Sequence, residues 1–297
     1  MINVLVLGIS GMLGSMVFRY LSLNENLNVF GTIRELGSLS ENNIFQLNAK
    51  NVTKEQILDL ISKANPDYVI NCIGIINKYC TLDNQDGIQN AILVNSLFPN
   101  IFANSAKLHS PDLKILQIAT DCVYSGNKGN YIESDIHDPL DIYGKSKSLG
   151  EVVSENFLNI RCSIIGPELY NKSSLLEWFL SRDSKEAVQG YDHHYWNGVT
   201  TLQFAQFCEE IIVENKFNPL RRLNHILHYC INETVSKYQL LKIFSKVFNK
   251  NIEIVRLDNP KKLDRTLKSV YLNIEKRKMY DSVFELYNFI STKVYYE

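Results

Sequence analysis

The chain lacks the marks of a stapled mini-domain, a membrane protein or a polyelectrolyte. Its six cysteines, Cys72, Cys80, Cys122, Cys162, Cys208 and Cys230, are scattered. None forms a CxxC pair or a Cys/His zinc spacing, which leaves reduced thiols in a cytoplasmic protein as the plain reading. The formal net charge is −1, so there is no basic excess of the kind that serves a nucleic-acid partner. Runs of like charge and low-complexity tracts are also missing. No apolar run is long enough to span a bilayer, and "MINVLVLGISG" lacks the basic flank of a signal peptide. His193 and His194 are neighbours without a third ligand nearby, so no metal is expected.

What is present is a large apolar fraction, 45% of 297 residues. That suffices for one big core, or for two domains sharing an interface. "NVLVLG" reads as a buried parallel strand, followed by helical periodicity in "MLGSMVFRYLSL". Strand "NVFGTIR", a helix over about 53–64, strand "DYVINCIG" and a long helix over about 86–107 come next. Strand "LKILQIAT", a helix from near Leu140 and strand "FLNIRCSIIG" close the series. This alternation predicts an α/β fold, a Rossmann-type doubly wound parallel sheet. Beyond Gly166 the pattern loosens, although "TLQFAQFCEEIIVEN" and "SKYQLLKIFSKVF" keep helical periodicity. A nucleotide domain over 1–165 plus about 198–228 is therefore expected, with a smaller substrate lobe from 166–197 and 229–297.

"GISGMLG" places Gly8, Gly11 and Gly14 between the first strand and its helix. Glycines at such a turn let a pyrophosphate approach the N–H groups of a helix N-terminus, or serve packing alone. The second strand ends in Thr32 and Arg34, where NAD sites usually carry an acid. An arginine suits a 2′-phosphate through charge-assisted bonds. The competing reading is a solvated arginine. "DIYGKSKSLGE" carries Tyr143 and Lys147, which share one face if the segment is helical. A nearby ammonium lowers the pKa of a phenol. Thr120 ends another strand, where sites of such sheets lie.

"GISGMLGS", "NCIGIIN", "VNSLFPN", "ATDCVYSG", "YIESDIHDPLDIYGKSKSLGE" and "NIRCSIIGPE" together resemble the extended short-chain dehydrogenase/reductases. Within them the chain is similar to the dTDP-4-dehydrorhamnose reductase-like branch. The match covers about 1–170, with weaker echoes in "SKYQLLKIF" and "DRTLKS". The resemblance implies NADPH-dependent reduction of the 4-keto group of a nucleotide-linked 6-deoxyhexose, as in making a rhamnose-type sugar. It implies Tyr143 as proton donor, Lys147 on the nicotinamide ribose and Thr120 on the reacting oxygen. Cofactor contacts are implied at Gly8, Ser10, Gly11, Met12, Leu13, Gly14, Thr32, Arg34, Asn48, Cys72, Ile73, Gly74, Ala119, Tyr143, Lys147 and Ile164. Substrate contacts are implied at Thr120, Asp121, Cys122, Tyr143, Trp196 and Arg265. Aromatics and histidines of "GYDHHYWNG" are read either as base and phosphate contacts or as ordinary packing, and Arg265 is weighed for the diphosphate. A homodimer is implied too.

The sequence departs from the best-known rhamnose reductases at Cys122, where they carry a tyrosine, and at Asn48, where aspartate is frequent. Sugar-nucleotide dehydratases carry a glutamate base at the position of Cys122, so a 4,6-dehydratase is disfavoured. GDP-fucose synthases and plant-type epimerase/reductases carry a cysteine there. A thiol suits acid–base work because its free pKa of about 8.5 lies near operating pH. Two readings stand: one site that epimerises beside the ketone and then reduces it, or a small residue that shapes the pocket. Epimerisation needs a partner acid, with Lys172 as candidate. "TDCVYSG" and "IRCSIIGPE" also resemble reductases of UDP-linked 2-acetamido-2,6-dideoxy sugars. A rival of another class is a regulatory subunit resembling the beta subunit of methionine adenosyltransferase. An epimerase with resident NAD is disfavoured by Thr32 and Arg34.

Overall fold

The structure of the chain, a computed structural model, describes residues 1–36, 42–170 and 173–292. Lys172 lies outside them. The first half alternates β1 (Ile2–Leu7), α1 (Met12–Leu21), β2 (Leu27–Ile33), β3 (Ile44–Gln46), α2 (Lys54–Ala64) and β4 (Tyr68–Asn71). It continues through α3 (Gln85–Ala91), α4 (Phe98–His109), β5 (Lys114–Thr120), α5 (Ile142–Leu149) and β6 (Phe157–Cys162). The second half is made of shorter pieces. These are β7 (Ile164–Ile165), α6 (Leu175–Leu180), β8 (Ala187–Tyr191), β9 (His194–Trp196), β10 (Val199–Thr200), α7 (Thr201–Val213) and α8 (Phe217–Leu223). Then come β11 (Ile226–His228), β12 (Val235–Ser236), α9 (Lys237–Val247), β13 (Glu253–Leu257), β14 (Leu263–Asp264) and α10 (Met279–Ile290).

Seven strands form one parallel sheet in the order β11-β6-β5-β4-β1-β2-β3. Period-two alternation explains its continuous apolar runs. In β1, Val4 and Val6 join the core on one face while Leu5 and Leu7 join the core on the other. α1 and α7 cover the first face, α2 and α4 the second. Strand order reverses between β1 and β4. In sheets of this kind a crevice opens there, outside the carboxyl ends of the strands.

Three local features depart from the sequence expectations. The strand expected over "FLNIRCSIIG" is broken at Ser163 into β6 and β7, and β7 pairs with β10 instead of the central sheet. The long helix runs from Gln85 to His109 but widens to π geometry over Ile92–Leu97. Within that segment the Asn95 amide accepts from Ile75 N–H at 2.8 Å and donates to Ile75 O at 2.9 Å and Ser146 Oγ at 3.0 Å. A π-turn admits one extra residue per turn, commonly beside a functional site. Here it ties the loop after β4 to α5. Finally, the short strands β3, β8, β9 and β11–β14 carry too few residues for periodicity to announce them. β11 extends the central sheet beside β6, and β12-β9-β14 form a small sheet of their own.

Candidate active site

The loop after β1 opens the crevice. Gly8 has φ +83°, a conformation that side chains rarely adopt. At Gly14 a Cβ would lie 2.1 Å from Gly8 O, so α1 reaches the loop only because that atom is missing. Gly11 differs: a Cβ there would meet only Gly8 O, at 3.5 Å, and the rest is open space. The first turn of α1 has no acidic residue, and its N-cap has no side-chain bond. Its N–H groups and dipole thus face the crevice without a competing anion.

Two adjoining cavities fill the crevice. One, of about 530 Å³, is lined by Gly8, Ser10, Gly11, Arg34, Asn48, Lys50 and Gly74, among others. The second, of about 450 Å³, takes in Met12, Leu13, Ala119, Ile164 and the cluster Thr120, Asp121, Cys122, Tyr143 and Lys147. Arg34, Cys72, Ile73, Gly74 and Tyr170 border both. The residues expected at a cofactor are therefore together, Thr32 among them, with Gly14 as the exception. Gly14 acts from behind, through packing. The Thr32 hydroxyl accepts from Gly8 N–H at 3.0 Å and is fully buried. Thr32 thus braces the glycine loop while lining the first cavity.

α5 is positioned by its N-cap. Asp141 Oδ1 accepts from Gly144 N–H at 2.7 Å, starting the helix at Ile142. Tyr143 and Lys147 then project from one face into one cavity. Lys147 Nζ donates to Ile118 O at 2.7 Å. Burial pushes its pKa down to about 8, against the pull of Glu151. The Tyr143 phenol is pushed above its ordinary range, first by burial and then by the neighbouring Cys122, while a hydrogen bond with Thr120 works the other way. Burial in the low-dielectric crevice thus favours the protonated phenol.

At the end of β5, Thr120 Oγ1 accepts from Cys122 N–H at 3.1 Å and donates to Asp121 Oδ1 at 3.2 Å. Cys122 Sγ lies 3.7 Å from the same oxygen. Arg265 donates from Nε to Tyr124 O at 3.0 Å, and its Nη1 lies 3.9 Å from Cys122 Sγ. Burial and Asp121 push the Cys122 thiol up to about 12, with Arg265 opposing them. Burial also raises the Asp121 carboxyl, against Arg265 and Lys237.

A family profile for the RmlD substrate binding domain matches residues 2–286. The chain belongs to the RmlD substrate-binding-domain family. A dTDP-4-dehydrorhamnose reductase of Aggregatibacter actinomycetemcomitans is 34% identical over 33% of this chain and 32% of its own length. The beta subunit of methionine adenosyltransferase 2 from Rattus norvegicus is 29% identical over 46% of this chain and 42% of its own. These two matches thus span under half of each relative. A dTDP-4-dehydrorhamnose reductase of Bacillus anthracis, solved in complex with NADP, superposes with a TM-score of 0.73. It is 16% identical and covers 97% of this chain and 99% of that one, which establishes the shared fold.

Against the expectations, this RmlD-family chain keeps Trp196 out of the crevice. Its ring is 4% exposed, packed in the main core beneath the Lys237 ammonium, 4.8 Å from the ring centroid. His193 and His194 also lie elsewhere, lining a separate depression of about 340 Å³ with Asn259, Lys261 and Lys262. Arg265 is half-buried, with its Nη1 toward Cys122 Sγ. Lys237 was not foreseen. It opens α9 in a stretch legible only as an amphipathic helix, and no local pattern shows that its ammonium lies over the Trp196 ring. Glu168, whose Oε2 accepts from Ser173 and Ser174 N–H, closes the motif "NIRCSIIGPE" without an expected role, and Tyr170 just beyond it also lines the crevice.

Proposed function

We propose that the chain is an NADPH-dependent reductase of the 4-keto group of a nucleotide-linked 4-keto-6-deoxyhexose. The observation that carries this reading is the convergence of Thr120, Tyr143 and Lys147 in one cavity that continues into the glycine-loop groove. The groove suits a dinucleotide. Gly11 leaves space at an uncapped helix N-terminus, where phosphate is favoured. Arg34 borders both halves and is the residue for a 2′-phosphate. Asn48 and Lys50 line the distal half, where the adenosine end fits. Bound NADPH supplies the hydride.

The rest is the work of the chain. Tyr143, kept protonated by burial, gives its proton to the ketone oxygen as carbon 4 is reduced. Thr120, hydrogen-bonded to Tyr143, holds that oxygen in place. Lys147, fixed by Ile118 O, holds the cofactor ribose and favours the phenolate left behind. The 166–197 and 229–297 segments form the sugar-nucleotide lobe in this reading. The likeness of "TDCVYSG" and "IRCSIIGPE" to certain reductases supports UDP with a 2-acetamido-2,6-dideoxy sugar over dTDP.

The test is NADPH oxidation with dTDP- and UDP-linked 4-keto-6-deoxyhexoses. Turnover with the UDP-2-acetamido sugar is expected. No oxidation with either would overturn the enzyme, and co-purification with a larger catalytic chain would then establish a regulatory subunit. A second activity, epimerisation next to the ketone, is supported by Cys122 lining the same cavity as Tyr143. Deuterium uptake at carbons 3 and 5 in D₂O without cofactor, lost in Cys122→Ser, would establish it. Absence of uptake on a sugar the enzyme reduces leaves a simple reductase.

A further inference from the structure

We propose that the depression beside His193 is a second binding site of the molecule, one that takes the phosphoryl group of a small phosphorylated ligand. Its volume, about 340 Å³, lies at the lower end of the range of small-molecule sites. It shares no lining residue with the two cavities of the crevice. Two lysines, two histidines and two asparagines line it, and no carboxylate does. The acids of the neighbouring turns are engaged elsewhere. Asp192 accepts from Ser236 Oγ and from Arg256 Nε, the latter at 2.7 Å. Asp258 Oδ1 accepts from Asn259 N–H at 2.9 Å, and Asp264 Oδ1 from the Thr266 hydroxyl at 2.6 Å. Neither Lys261 nor Lys262 pairs with a carboxylate among the described residues.

The backbone fixes these cations in place. β8 and β13 pair in parallel, so Tyr191 lies beside Leu257. Beyond that pair Asp192 N–H donates to Leu257 O at 2.8 Å, and Leu263 N–H donates to His193 O at 2.9 Å. Between the two bonds Asn259 Oδ1 accepts from Lys261 N–H at 2.9 Å. The turn over 258–262 is thus tied at both ends to the turn after β8. Lys262 Nζ lies 5.5 Å from the Tyr195 ring centroid, a contact that orients the cation without neutralising it. His193 itself is 8% exposed, with its ring edge-on to His194 at 4.4 Å and to Tyr191 at 5.7 Å. Its Nδ1 lies 3.2 Å from Leu257 O. A carbonyl only accepts, so Nδ1 carries the proton and Nε2 is left for a ligand. No protein atom partners Nε2 among the described residues. A phosphate ester suits that nitrogen in either ring state. The neutral ring accepts from a hydroxyl of the ester, and the charged ring donates to a phosphoryl oxygen. The two ammonium groups add charge-assisted bonds to the phosphoryl group.

This inference goes beyond the reductase reading and does not rest on it, and its test uses neither cofactor nor keto-sugar. Inorganic pyrophosphate is titrated into the protein at fixed pH while the ring resonances of His193 and His194 are followed by NMR. The two are assigned through His194→Gln and through the short distance between the rings. Both are expected to move and to saturate. In Lys261→Ala/Lys262→Ala the midpoint should rise about ten- to hundredfold, as when hydrogen bonds between charged groups are lost. Both lysines are exposed, so this variant should melt like the wild type. An unchanged midpoint in that variant overturns the inference. So do ring signals that stay still, whether or not calorimetry records pyrophosphate binding elsewhere. UDP then separates two sources of the phosphoryl group. Displacement of pyrophosphate from the histidines by UDP assigns the depression to the diphosphate of a sugar nucleotide. Histidine signals that respond to pyrophosphate and ignore UDP assign it to a separate phosphorylated molecule.

Discussion

Two buried polar clusters flank β6, and they are satisfied very differently. Around Arg161 nearly every strong group has a partner. Its Nε and Nη2 reach both oxygens of Glu151 at 2.7 and 2.6 Å, and Nη1 donates to the Tyr124 hydroxyl at 2.6 Å. Nη2 also meets His137 Nε2 at 2.6 Å, and Nη1 meets His228 Nε2 at 3.2 Å. With Nε2 accepting, His228 Nδ1 donates to the Tyr131 and Lys268 carbonyls, at 3.0 and 3.1 Å. Around Thr120 the balance is otherwise. Cys122 Sγ comes no nearer than 3.7 Å to Asp121 Oδ1, and Lys147 Nζ donates to the Ile118 carbonyl with no carboxylate in contact among the described residues. The first cluster is a densely paired joint that ties β6 to the C-terminal segment. The second keeps buried groups with unused capacity, which is costly for folding and useful for chemistry. Mutations should separate the two.

The largest separation is expected from Tyr143→Phe, which removes the acid and should lower the reduction rate by about 10²–10⁴. Melting temperature and NADPH affinity should barely move; wild-type-like turnover would remove Tyr143 from the chemistry. The opposite profile is expected of Arg161→Met. It strands Glu151 in the interior and should cost about 3–5 kcal/mol in denaturant unfolding. The rate per folded molecule should stay within about tenfold of the wild type. A large loss of turnover with unchanged stability would show that the paired joint also serves the reaction.

Arg34→Ala acts on a single ligand group. NADPH should weaken by about 1.5–3 kcal/mol more than NADH, the worth of a hydrogen bond to a charged group. Titration calorimetry with both cofactors reads it directly, and equal losses would place the 2′-phosphate elsewhere. The smallest effect is a slope. His228 is pushed down to about 4, from 6.5, by burial and by Arg161. A folded-state pKa below the unfolded one means stability that is present above pH 6.5 and lost as pH falls toward 4. The melting temperature should fall across that window, and less steeply in His228→Gln. Parallel slopes would clear His228 of the acid sensitivity.

Much of the cofactor half was legible because it is local. Gly8, Gly11 and Gly14 announce a backbone that must turn sharply and approach closely. Tyr143 and Lys147 lie four residues apart, which a helix converts into one face. The same motifs also carried residues whose work is structural. Tyr124 of "TDCVYSG", Glu151 of "KSLGE" and Arg161 of "NIRC" build the paired joint, and Thr32 braces the loop. A motif does not say which of its residues faces a ligand and which faces the core.

By itself the sequence determined the parallel sheet, the alternation of its strands and helices, a glycine loop and Thr120 at carboxyl ends of strands, and a Tyr/Lys pair on one helix face. Each of these follows from periodicity and residue type within a short window. Only the tertiary structure decided that Trp196 packs under Lys237 and that Arg265 lies against Tyr124 and Cys122. The second contact depends on how the segment after β14 packs on the segment after β5, more than a hundred residues away in the chain. Burial then raised the Tyr143 phenol above its ordinary range, since desolvation favours the neutral form.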